Sequence, residues 1–197
     1  NFRVHAFGDE MEVFIPAPGM HMVYNALAAI SVGYLMGVKP AKMQQALAMF
    51  SNAGMRQEII KRDGYTVIAD CYNAGPESME AALQVLADTP TQGRRIAVLG
   101  DMLELGVCSP AEHYRIGRLA AQPANALFTY GKMAGRYISG AVTGGMNQKR
   151  VTTYKTHEEL ADALKRFAKP GDVLLFKGSR GMRMEQALEM FFQQEKK

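Results

Sequence analysis

"DVLLFKGSRGMRMEQAL", residues 172–188, is the stretch from which the fold can be read. Four apolar residues, 173–176, stop abruptly at Lys177-Gly178-Ser179-Arg180-Gly181, and a helix-like pattern follows at once. A short continuous apolar run bounded by turn residues reads as a buried strand. Gly178 and Gly181 predict a tight backbone turn. The helix after them offers free N–H groups and a partial positive charge. Lys177 and Arg180 add full charges, and an arginine can grip a carboxylate or phosphate with two parallel hydrogen bonds. The loop reads as an anion site, or as a plain strand–helix turn whose basic residues are solvated.

Working outward, the same strand–helix grammar recurs. "TVIAD" ends at Asp70, and Pro76 starts a helix whose inner face is Met79, Ala82, Leu83 and Leu86. "RIAVLGD" ends at Asp101, and Ser109-Pro110-Ala111-Glu112 has the form of a capping box. "ALFTYG" ends at Gly131, with Lys132 opening the next helix. "VTTY" precedes Thr156-His157-Glu158-Glu159, a second capping box, with Leu160, Ala163, Leu164 and Phe167 facing inward. This alternation, over about residues 56–197, predicts an α/β domain with a mostly parallel sheet and helices on both faces. Parallel strands put their carboxyl ends at one edge, where ligands bind in such sheets. That edge gathers Asp70-Cys71-Tyr72-Asn73, the turn from Gly100 and Asp101 to Glu104, Gly131-Lys132, and Lys177-Gly178-Ser179-Arg180.

Residues 1–53 read differently. "FRVHAFGDEMEVFIP" alternates around Gly8-Asp9, a hairpin signal. A helix follows with Val23, Leu27, Ile30 and Tyr34 on one face, then another from Pro40 with Met43, Leu47 and Phe50. Two strands and two helices make a poor domain alone, so this block is expected to be the end of a larger α/β domain.

Composition narrows the function classes. The chain has 197 residues, 48% of them apolar, enough for a proper core. No run of 18 apolar residues occurs, so no membrane span is expected. The start has neither a signal-peptide pattern nor a Met, as expected of a fragment or a processed start. Two cysteines, Cys71 and Cys108, fit a reducing cytosol rather than a disulfide framework. The net charge of +4 is carried by scattered basic residues. That favours anionic small molecules over a nucleic-acid groove. The 14 methionines read as core filler.

Several side chains are candidates for chemistry. Asp70, at a strand end beside Tyr72 and Asn73, can accept both hydroxyls of a ribose, or can cap the helix at Pro76. Asp101 and Glu104 bracket a turn closed by Gly106. They could orient an amine or a metal-bound group, or be ordinary turn acids. His21 and Asn25 share a helix face, with no third metal ligand evident. His113 reads as a surface or packing residue. No Cys-x-x-Cys, Ser/His/Asp set or phosphate-binding G-x-x-x-x-G-K-[ST] is present.

In order, "GMHMVYNALAA", "GMRQE", "DCYNAGPESM", "GDMLELG" followed by "SPAEH", and "KGSRGMRME" resemble the Mur ligases. Each motif is short, but five in sequence are specific, and they span nearly the whole chain from about Pro16. The resemblance is greatest to those members that join D-alanyl-D-alanine to UDP-N-acetylmuramoyl-tripeptide in peptidoglycan synthesis, with ATP and Mg2+. It implies that residues 1–53 end the central ATP-binding domain and that 54–197 are the carboxyl-terminal Rossmann-like domain. The P-loop, carbamylated lysine and magnesium ligands would then lie upstream, leaving no catalytic residue in this chain. The implied enzyme is a bacterial, cytoplasmic monomer. It phosphorylates the tripeptide's terminal carboxylate; the dipeptide amine attacks the acyl phosphate and phosphate leaves.

Position by position, the resemblance assigns Asn25 to adenine, Arg56 to the nucleotide's surroundings, and Asp70, with Tyr72 and Asn73, to the ribose. It assigns Lys177, Ser179 and Arg180 to the incoming dipeptide's carboxylate or a nearby phosphate, and Asp101 and Glu104 to the same substrate side. The chain departs from the family pattern twice. Met22 stands where His-Asn-x-x-Asn has its first asparagine, and Gly75 stands in place of the second asparagine of Asn-Ala-Asn-Pro. Two other readings stay open. One is a ligase of the same type adding a different amino acid. The other is an inactive or regulatory Rossmann-like module that binds nucleotide or amino acid.

Overall fold

The structure, a computed structural model, is described for residues 1–6, 8–51 and 54–193. It divides into two units, Asn1–Ala53 and Gly54–Lys197. In the first, β1 (Phe2–Ala6) pairs antiparallel with β2 (Asp9–Val13), with Ala6 opposite Asp9 as the hairpin signal requires. Two helices follow, α1 (Met20–Leu35) and α2 (Pro40–Ala48), the latter with proline in its first turn. Val4, Met11, Val13, Ile30 and Met43 form one cluster, and Ile15, Met22 and Ala26 another. The buried stripe of α1 is therefore Met22, Ala26 and Ile30. The expected Val23, Leu27 and Tyr34 flank it, half-buried. The stripe is displaced because Met22 and Ala26 pack with Ile15, Leu47 and Phe50.

The second unit is built on a six-stranded sheet in the order β3-β4-β8-β5-β6-β7. β4 (Tyr65–Asp70), β5 (Arg95–Gly100), β6 (Ala126–Tyr130), β7 (Val151–Tyr154) and β8 (Val173–Lys177) are parallel. The last strand, β8, lies between β4 and β5. Between the strands run α3 (Pro76–Asp88), α4 (Ser109–Ala120), α5 (Ala134–Thr143) and α6 (His157–Phe167), and α7 (Met184–Phe192) closes the chain. Helices α3, α4 and α5 supply one apolar layer with Ile68, Leu99 and Leu175, while α6 and α7 supply the other with Val67, Val98 and Phe176. Right-handed crossovers account for this split. The chain moves one way through β5, β6 and β7 and must return to reach β8, so α6 falls on the opposite face.

Three local expectations change. β3 (Glu58–Arg62) adds an antiparallel edge strand, joined to β4 by Asp63 (φ 52) and Gly64 (φ 81). This Asp-Gly turn has positive φ at both positions, the form two-residue hairpins favour. Ser109 does not cap α4. The helix already includes Ser109, following a 3-10 turn at Gly106–Cys108, and no side chain bonds its first amides. At α6, Thr156 does accept from the Glu159 amide, but the Glu159 carboxylate accepts from Lys155 rather than from Thr156.

The amino edge of the sheet is held by Asp172. Its buried carboxylate accepts from the Arg94 amide (2.8 Å), the Arg94 guanidinium (2.6 and 3.3 Å) and the Lys169 amide (2.9 Å). Burial alone would raise its pKa, but these bonds outweigh it and hold the carboxyl below its ordinary value of 3.8. Because the folded pKa is depressed, the stabilisation is complete above the ordinary carboxylate range and is lost as pH falls through the folded value. Asp172→Asn should lower stability at neutral pH by about 1.5–3 kcal/mol, the worth of hydrogen bonds to a charged group. It should also flatten the acid limb below about pH 4. Urea midpoints measured across the acid range test both; parallel acid limbs for variant and parent would refute the linkage.

Candidate functional site

Parallel register places Asp70 beside Lys177, each the last residue of its strand. Strand alternation points both toward the α3 layer, the side of Ile68 and Leu175. Lys177 Nζ donates to Asp70 Oδ2 at 2.7 Å and to the Asn73 carbonyl at 2.9 Å. Lys177 is 1% exposed and Asp70 7%. A buried ammonium without a partner is costly, so burial and pairing come together here. The ammonium expected on the outside of the loop is therefore turned into the sheet edge.

Ser179 is also inside, 4% exposed. Its amide donates to the Asp101 carbonyl (3.1 Å), and its hydroxyl donates to the Ala74 carbonyl (3.1 Å) and accepts from the Leu103 amide (2.9 Å). One serine thus ties together the loops after β8, β5 and β4. Gly178 and Gly181 serve space rather than turn geometry. Neither has a positive φ; a Cβ on Gly178 would lie 2.8 Å from Met184 and 3.2 Å from the Gly100 Cα, and one on Gly181 would lie 2.8 Å from Leu103. The left-handed residue is Arg183 (φ 48), at the start of α7.

Asp101 serves a helix start. Its carboxylate accepts from the amides of Lys132 (2.7 Å) and Met133 (3.1 and 3.2 Å), just ahead of α5. Gly131 (φ +127) allows this, since a Cβ there would collide with the carboxylate. Burial pushes the Asp101 carboxyl up, against those amides and nearby His113.

His113, read as a surface or packing residue, is fully buried and wires the same loop. Its Nε2 accepts from the Met102 amide at 2.9 Å, and Nδ1 lies 2.7 Å from the Ser109 carbonyl. An amide can only donate, so Nε2 is bare and Nδ1 carries the proton. The Ser109–His113 spacing of one helical turn was the only signal of this arrangement in the sequence.

What remains outside is a short set. Tyr72 is 47% exposed, with the Arg56 guanidinium 4.0 Å from its ring centre. Asn73 is exposed, and its Oδ1 accepts from the Ala74 amide. Glu104 is exposed at φ 65. The Arg180 side chain is 60% exposed and its Nη1 lies 3.0 Å from Glu185 Oε1, while Glu185 Oε2 is buried with no partner among the described residues. Cys71 is buried, and burial, then Glu185 and Asp70, push its thiol up to about 12, which makes it a poor nucleophile. In the first unit, exposed Asn25 donates to the sulfur of buried Met22 at 3.7 Å. The structure therefore brings Asp70, Asn73, Asp101, Lys177 and Ser179 into one bonded loop platform and leaves Arg56, Tyr72, Glu104 and Arg180 on its outside. Among the described residues no group of three or more His, Cys, Asp or Glu could hold a metal ion.

Residues 55–180 match the family described as "Mur ligase, glutamate ligase domain". The chain belongs to the Mur ligase family. It is 39% identical over 184 residues to the UDP-N-acetylmuramoyl-tripeptide–D-alanyl-D-alanine ligase of Bacillus subtilis, covering 92% of this chain and 40% of that protein. It is 33% identical over 180 residues to the Escherichia coli ligase of the same name, covering 90% and 38%. A crystal structure of MurF from Acinetobacter baumannii superposes with a TM-score of 0.86 at 30% identity, over 97% of this chain and 41% of that one. MurF from Thermotoga maritima, solved in complex with ADP, gives 0.81 at 26% identity, over 96% and 42%. The chain thus spans about two fifths of the length of these Mur ligases.

The buried pair yields a stability test. Lys177→Met leaves Asp70 buried without its cation and should cost about 3–5 kcal/mol. Adding Asp70→Leu should recover most of that loss, because an apolar replacement of a buried pair is often nearly neutral. Urea unfolding of the two single variants and the double variant measures this; strictly additive losses would show that the two groups act independently.

Proposed function

We propose that this chain is the carboxyl-terminal part of an ATP-dependent ligase that joins D-alanyl-D-alanine to UDP-N-acetylmuramoyl-tripeptide in the cytoplasm of a bacterium, working as a monomer. Residues 1–53 would end its central domain and 54–197 form its carboxyl-terminal domain. The observation that carries this reading is the division of labour at the carboxyl edge. The loops after β4, β5, β6 and β8 are bonded to one another through buried side chains, and Arg56, Tyr72 and Arg180 stand outside as contact groups. The named relatives and the ADP-bound neighbour support the choice of substrates.

A carboxylate is a poor acyl donor until one oxygen becomes a leaving group. In this reaction ATP phosphorylates the tripeptide's terminal carboxylate, the dipeptide amine attacks the acyl carbon, and phosphate departs with the C–O bond. Positioning and charge stabilisation dominate such chemistry. Asp70, fixed by Lys177, would receive the ribose hydroxyls beside Tyr72 and Asn73, with Arg56 near the phosphates and Asn25 at the adenine. Arg180 would hold the dipeptide carboxylate through paired N–H groups. Lys177, Ser179 and Asp101 would act by shaping the loops, and Glu104 would stand at the substrate side. Mg2+ would accompany the nucleotide phosphates; the described residues provide no cluster of three or more His, Cys, Asp or Glu for it.

The test is phosphate release from ATP by the full-length protein with UDP-N-acetylmuramoyl-tripeptide, with and without D-alanyl-D-alanine. Release should require the dipeptide. Arg180→Ala should raise the KM for the dipeptide by about tenfold or more, as expected for a charge-assisted contact, and change the KM for ATP much less. Dipeptide-independent activity restored by another amino acid would move the specificity, and nucleotide binding without turnover would favour a binding module.

A further inference from the structure

The interaction between Arg180 and Glu185 has an unusual form. Arg180 sits in the short turn before α7, with its side chain 60% exposed. Glu185 lies in the first turn of α7, with its side chain 14% exposed. A free arginine at such exposure would sample many rotamers. Glu185 limits them by binding Nη1 at 3.0 Å from a half-buried position. Five N–H donors lie around a guanidinium, so a single contact at Nη1 leaves the Nε–Nη2 edge open for a second carboxylate.

The pair is poorly explained as a stabilising device. Partly exposed ion pairs contribute little. Glu185 also carries a cost, because its Oε2 is buried without a hydrogen-bond partner among the described residues. A buried unsatisfied oxygen in a folded protein calls for a reason, and functional strain is one.

We infer that Glu185 is a positioning residue: it presets Arg180 so that the open edge of the guanidinium meets the carboxylate of the incoming amino-acid substrate. This rests on the reading of Arg180 given above. It assigns Glu185 an effect on substrate capture, exerted only through Arg180.

The experiment uses the full-length ligase with Glu185→Gln, Arg180→Ala and the double variant, measuring steady-state kinetics for D-alanyl-D-alanine and ATP together with thermal midpoints. The amide fits the same space and removes the charge that holds the guanidinium. Glu185→Gln should raise the dipeptide KM several-fold, leave kcat and the ATP KM within about twofold, and leave the thermal midpoint equal or higher. In the Arg180→Ala background it should have no further effect, and Glu185→Asp should restore part of the dipeptide KM. An effect of Glu185→Gln that persists undiminished in the Arg180→Ala background overturns the inference but leaves the Arg180 reading intact. So does an unchanged dipeptide KM with a lowered thermal midpoint, which would make the pair structural. An Arg180→Ala variant with an unchanged dipeptide KM overturns the Arg180 reading, and the inference with it.

Discussion

The carboxyl edge of the larger unit depends on one buried contact, Lys177 to Asp70. β8 is the last strand in the chain, yet it lies in the middle of the sheet. Its terminal residue therefore sits where the path splits toward β4 on one side and β5 on the other. A lysine there can satisfy the carboxylate that ends β4 and the carbonyl of Asn73 beyond it. This fixes the direction of the loop after β4. From the same edge, Ser179 reaches Ala74 and Leu103, and Asp101 reaches across to the amides before α5. The order of the strands thus makes a single hydrogen-bonded platform from loops more than a hundred residues apart.

The alternation of short apolar strands with amphipathic helices is a periodic signal, and it placed the parallel sheet, its two helical layers and the loops that share an edge. The antiparallel β3 was written in the chain as well, as "IIKRDGYTV", because Asp63-Gly64 is a hairpin turn; alternation of strand and helix simply has no place for it. The buried stripe of α1 keeps the expected Ile30 but runs through Met22 and Ala26 in place of Val23 and Leu27, because periodicity gives a stripe but not its centre. That centre is set by what lies opposite, here Ile15, Leu47 and Phe50.

The individual roles of site residues were less legible, for a physical reason. A sequence shows that Lys177, Ser179 and Arg180 are polar and adjacent, and adjacency suggests a common task. On a strand end, successive side chains point to opposite faces, and past the strand the chain turns. One of these residues is then buried in a neighbour's loop, one is knotted between three backbones, and only Arg180 reaches solvent. His113 illustrates the converse. Apart from Ser109 one helical turn earlier, nothing local distinguishes it from a surface histidine, and its role follows from the Met102 amide, eleven residues earlier, being delivered to its bare nitrogen.

The cost of these arrangements separates scaffolding from function. Asp172, at the amino edge, has its carboxyl held low by a full set of partners, which is what a purely stabilising group should show. At the carboxyl edge the signs differ. Burial raises the Asp101 carboxyl despite two amide donors, so ionising it works against the fold rather than for it. Glu185 keeps an oxygen buried and without a partner among the described residues. Folding alone gains little from either. Both, however, fix the geometry of loops whose outer groups are a guanidinium, an aromatic–cation pair and a carboxylate. A sheet edge selected only for stability would have satisfied or removed these groups, as the opposite edge does. Their retention on one side of the fold sets this edge apart from the opposite one, where Asp172 has its partners in place.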